Sequence, residues 1–173
     1  MKLIAITFLT TILLSPSTAF SQTRGRSSRP RQPATTATQR VSQVRTQGAQ
    51  RVADQIKHLT RFTYLLGGVA SGIAAVDEAV RRNEASPAIV QKNQQSKTTV
   101  RNSIQGFRET LDKLEIDFRA TPDLQPYYIK LAGVAAGAAR AEEQAAANQF
   151  DPAGRTLLDV VGRLADVLVI MRQ

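Results

Sequence analysis

Residues 66–88 read LGGVASGIAAVDEAVRRNEASPA, and residues 131–153 read LAGVAAGAARAEEQAAANQFDPA. Laid over one another at an offset of 65, Leu66, Gly68, Val69, Ala70, Gly72, Ala74, Glu78, Asn83, Pro87 and Ala88 fall on Leu131, Gly133, Val134, Ala135, Gly137, Ala139, Glu143, Asn148, Pro152 and Ala153. Two Ala/Gly-rich helices share a composition, but composition does not make them share the Asn and Pro that follow. The pattern reads as an internal duplication, and it predicts two tandem helical hairpins related by a pseudo-two-fold axis.

On either side of these stretches, apolar residues recur at alternating steps of three and four, the spacing of coiled-coil-like packing. Val52, Ile56, Leu59, Phe62, Leu66, Val69, Ile73, Val76 and Val80 form one stripe; Val100, Ile104, Phe107, Leu111, Leu114 and Phe118 form a second. Leu124, Tyr128, Leu131, Val134, Ala138 and Ala141 make a third, and Leu157, Val161, Leu164, Leu168 and Met171 a fourth. That is helical periodicity throughout. Ser86-Pro87, Thr121-Pro122 and Asp151-Pro152 each set a capping side chain before a proline, the pattern of a helix start. The sequence therefore predicts an all-α, antiparallel four-helix bundle over 49–173, with helices at about 50–84 (its start fraying back toward Thr38), 87–119, 122–148 and 152–172. Hairpin one would span 50–119 and hairpin two 122–173. Aromatic residues make up 5% of the chain and Trp is absent, so its core must be aliphatic.

Glycines mark where the hairpins should meet. Gly68 and Gly72, like Gly133 and Gly137, stand four apart on one side of an uncharged helical segment, and are expected to let another backbone approach closely. The halves differ at one point. The second helix opens with the polar run Gln91 to Thr99 where the fourth has Leu157 to Arg163, so polar residues occupy would-be core positions. That stretch either stands in water or lines a wet cleft or partner surface.

The N-terminus has the three-part form of a secretory signal: Lys2, the apolar run Leu3 to Leu14, then small residues, with cleavage expected after Ser21 or after Ala19. The longest later uncharged apolar stretch, 62–76, has 15 residues, so no membrane span is expected in the mature chain, which should be secreted or periplasmic. Residues 22–48 are rich in Arg, Gln, Ser, Thr and Pro, contain no acidic residue, and read as a disordered tail. The formal net charge of +9 is concentrated there. Arg24, Arg26, Arg29, Arg31, Arg40, Arg45 and Arg51 lie in a stretch with no acidic residue, whereas residues from 52 onward hold 15 basic and 14 acidic groups.

Absence of cysteine excludes a disulfide scaffold, a thiol nucleophile, a thiolate metal site and a lipidated N-terminal Cys. No Glu-x-x-His spacing accompanies the one histidine, His58, and the repeated Glu78 and Glu143 point away from their stripes, so neither catalysis nor a metal is expected. No cofactor is expected either. The one alternative with a chemical rationale is a small-ligand or haem carrier, with His58 and Met171 as ligands from the first and last helices. The leading expectation is a non-enzymatic exported bundle acting by binding or self-association. Arg24, Arg26, Arg29, Arg31, Arg40 and Arg45 would tether it to an anionic envelope surface or polymer. A protein partner or a second copy fits as well. Nucleic acid fits less, because the tail lacks stacking aromatics.

Overall fold

A computed structural model describes residues 34–173, with side chains from residue 37. The expected signal segment (1–21), Arg24, Arg26, Arg29 and Arg31 lie outside the described residues. Five helical segments follow one another: α1 (Ala34–Arg81), α2 (Pro87–Ala120), α3 (Gln125–Leu131), α4 (Val134–Ala146) and α5 (Phe150–Met171). Among the described residues there is no strand.

The first departure from expectation is the length of α1. Its 48 residues run about 72 Å and take in residues 34–48, which composition assigned to the disordered tail. A sparse seam explains the difference. Val44 packs against the core, and Gly48 is buried so closely that a Cβ there would lie 2.8 Å from a methyl of Leu124 and 3.1 Å from the methyl of Met171. Polar residues surround this seam and hide it from a compositional reading. The seam then continues as Val52, Leu59, Leu66 and Ile73, all buried and seven apart.

Of the three expected starts, only Ser86-Pro87 opens a helix as read, with Ser86 extended at the N-cap and Pro87 in the first turn. Thr121-Pro122 instead closes α2. Thr121 takes an extended backbone, as a residue before proline prefers, and its carbonyl accepts from the amides of Leu124 and Gln125 before α3 begins. Helix α5 starts at Phe150, two residues before Pro152, which is tolerated because the amide it lacks is still among the unpaired amides of the first turn.

The expected third helix is broken in two. Ala132 is extended and Gly133 has φ +94°, a left-handed conformation open to glycine, so the chain restarts as α4 at Val134. A side chain from another helix receives the freed amides: Glu115 of α2 accepts from Gly133 N at 3.0 Å and from Ala135 N at 2.8 Å.

Two helix ends match in detail. Arg82, Asn83 and Glu84 donate to the carbonyls of Glu78, Val80 and Ala79, while Ala147, Asn148 and Gln149 donate to those of Glu143, Ala145 and Gln144. Asn83 and Asn148 both have positive φ, 57° and 62°. Asparagine tolerates this left-handed turn better than most residues, which is why it recurs.

Side chains hold the bundle around one aliphatic core. The buried face of α4 is built from Val134, Ala138, Ala141 and Ala145, small enough for α2 and α5 to approach closely. Leu111, Leu114 and Phe118 of α2 and Leu157, Leu164 and Val167 of α5 fill the space around it. Arg51 pairs with Asp117 at 2.7 Å, joining α1 to α2, and Thr156 donates to Gln144 at 2.8 Å, joining α5 to α4.

Candidate functional site

Between Phe62 and Val76, α1 carries no charge, and Leu66 and Ile73 turn one edge of this segment into the core. Much of the remainder faces outward: Tyr64 is 84% exposed, Leu65 54% and Val69 41%. Gly68 and Gly72 lie on the same open side, and a Cβ at either, or at Gly67, would meet no atom within 4 Å. The expectation that Gly68 and Gly72 seat a neighbouring helix is therefore corrected for the monomer: no helix of this chain covers them. Their counterparts differ. A Cβ at Gly137 would lie 2.6 Å from Val160, so α5 needs that glycine, and Gly133 serves the break before α4.

Helix α2 leaves this face open because its first turns are polar. Asn93 and Lys97, both buried, donate to the same carboxylate oxygen of Asp77, at 2.8 and 2.7 Å. Two of the polar residues at would-be core positions are thereby accounted for. They clamp the end of α1 with a charge-assisted pair, since a buried ammonium needs a partner. Four others of that run, Lys92, Gln95, Ser96 and Thr99, form one wall of a groove of about 410 Å³ whose apolar floor is Phe62, Leu65 and Val69. Phe62 also packs against Phe107, ring centroids 5.1 Å apart.

Charges bound the apolar face at both ends. Asp54 accepts from Gln50 and Lys57, contacts that hold its carboxyl below the usual range, with Gln50 contributing most. Arg82 and Arg81 do the same for Glu78. By length and composition, α1 is the one helix among the described residues long and apolar enough to cross a membrane, and 17% of its apolar window is buried. The expectation that no later segment qualifies rested on the strictly uncharged run, whereas a window tolerating one or two charges is longer.

Two of the arginines assigned to anion binding are described. Arg40 is exposed on the first turns of α1. Arg45 is engaged with the bundle: its Nε donates to Met171 O at 2.8 Å, and its guanidinium stands 5.9 Å from the Tyr127 ring. It caps the negative end of α5. Arg101 treats α4 alike, reaching Ala145 O at 3.2 Å and the Asn148 side chain at 2.9 Å.

The haem pairing finds no geometry here. Met171 is buried beside Arg45, and His58 lies thirteen residues further along the same helix, about 20 Å away, exposed beside Phe107. Among the described residues no three His, Asp or Glu side chains converge on a point that could hold a metal ion.

No family model, no curated protein and no solved structure matches this chain.

Proposed function

We propose that this is an exported, non-enzymatic helical bundle that works by binding, with the open face of α1 as its docking surface and the Arg-rich N-terminal arm as an electrostatic tether to anionic envelope polymer or lipid. One observation carries the reading: an uncharged segment of α1 presents Tyr64, Leu65 and Val69 to solvent rather than to its own core. Apolar side chains clustered in this way mark interaction surfaces. The matched closing turns at Asn83 and Asn148 support a bundle of two duplicated hairpins. Ion pairs support their antiparallel course, since Arg51 meets Asp117 near one end of the α1–α2 pair and Asp77 meets Lys97 near the other.

The tether is tested by cosedimentation with vesicles containing phosphatidylglycerol. The mature protein should bind, and binding should fall steeply as salt rises, because the arm releases counterions from the surface. Replacing Arg24, Arg26, Arg29 and Arg31 together by Gln should abolish it. Equal binding by that variant would overturn the tether. Export is tested by N-terminal sequencing of the protein from its source, which should begin at Gln22 or Phe20 rather than Met1.

A further inference from the structure

We propose that the open face of α1 docks on α1 of a second copy, antiparallel, about a two-fold axis passing beside Gly68. This rests on reading that face as a docking surface, and it names the partner. At 3.6 residues per turn, Asp54, Lys57, Tyr64, Gly68, Gly72, Glu78 and Arg82 fall within about 120° of one another on the outer side of α1. A two-fold interface must carry both knob and hole on one patch, since each copy presents the same surface. This strip does. With Gly68 facing Gly68, Tyr64 falls opposite Gly72 of the second copy, so the most exposed large apolar side chain meets a position with no Cβ and nothing around it.

The same register pairs most of the flanking charges, with Arg61 of the same strip falling opposite Ala75. Asp54 comes opposite Arg82 of the second copy, and Lys57 opposite Ala79, one residue from Glu78. A parallel pairing would instead stack Tyr64 on Tyr64 and bring Lys57, Arg61 and Arg82 against their own equivalents. Opposite charges thus select the antiparallel arrangement and like charges oppose the other.

A bilayer fits the face less well. On this strip the uncharged part runs from Tyr64 to Ala75, about 17 Å, against roughly 30 Å of hydrocarbon, and both signs of charge bound it. The glycines add a physical reason for a second backbone. Each destabilises a helix interior relative to Ala, and no neighbour in the monomer requires them. The contact strip from residue 54 to 82 is about 42 Å long and about 10 Å wide, on the order of 400 Å² a side, half of a standard interface. The dimer should be weak and reversible, in the micromolar range.

Sedimentation velocity of the mature protein, from about 1 μM to 1 mM, should show a concentration-dependent monomer–dimer equilibrium. Gly72→Leu, which enters open space in the monomer, should keep the helical circular dichroism and melting cooperativity while weakening the dimer at least tenfold. Asp54→Arg and Arg82→Asp should each weaken it several-fold, and the two together should restore it, which fixes the register. A wild-type monomer at 1 mM, an unaffected Gly72→Leu dimer, or no restoration by the double exchange would each overturn the proposal. So would a monomer that sediments with phosphatidylcholine vesicles and loses this on Leu65→Glu, which would assign the face to lipid. Loss of the phosphatidylglycerol binding described above would remove the tether and leave the dimer standing.

Discussion

Gly72 and Gly137 occupy matching places 65 residues apart, and their surroundings give them opposite energetic roles. A methyl at Gly137 would press on Val160 at 2.6 Å, within a helix contact that cannot widen without moving α4 from α5. Gly137→Ala should lower stability by about 1–3 kcal/mol. Gly72→Ala should raise monomer stability by up to about 1 kcal/mol, because it removes backbone entropy and meets nothing. Urea titration at low protein concentration measures both. A glycine in the sequence announces that something small is needed; it does not say who the neighbour is, and here one of two equal-looking motifs has its neighbour inside the chain. Lys97 makes the complementary case. Its polarity at a core position was legible as an anomaly, and its partner Asp77, twenty residues earlier, was not. Asp77→Ala strands an ammonium whose side chain is 9% exposed and should cost about 2 kcal/mol, less than a fully buried pair because Asp77 itself is partly solvated. Combining Asp77→Leu with Lys97→Met should recover most of that loss in the same titration.

Periodicity made the helices themselves readable, and their ends depended on whether the deciding contact was local. Ser86-Pro87 and the Asn83 and Asn148 turns use neighbours in sequence, and their residue types announce them. The break before α4 depends on Glu115, which comes from α2 and supplies acceptors to amides that a continuous helix would have paired internally. No pattern within residues 122–148 specifies it, and α1 passes unbroken through the matching Gly68. Replacing that carboxylate therefore tests an element boundary through a distant residue. Glu115→Ala should cost about 1–2 kcal/mol, as loss of a helix cap does. Hydrogen exchange should speed up at the amides of Gly133 and Ala135 first, while the core amides of α5 follow only the global change. Uniform acceleration through α2, α4 and α5 would mean that Glu115 holds the bundle rather than the start of α4.

For the whole molecule, the division between arm and bundle decides how charge relates to fold. Composition placed the boundary near residue 49, because Arg, Gln, Ser and Thr dominate before it. Packing moves it back into α1. Arg45 caps α5, Gly48 receives Leu124 and Met171, and Val44 adjoins the core, so at least residues 44–48 belong to the folded unit although they read as tail. Two truncations separate these regions. A chain starting at Ala34 loses four of the arginines and should melt where a chain starting at Gln22 melts, since the arginines removed lie before α1. A chain starting at Arg51 exposes Leu124 and Met171 and leaves the last carbonyls of α5 uncapped. Loss of that burial and of one charge-assisted bond is worth about 2–4 kcal/mol, which for a domain of this size lowers the melting temperature by roughly 10 °C. Equal melting of both truncations would return residues 34–50 to the tail, and with them Arg40 and Arg45 to the pool of charges that meet an anionic surface.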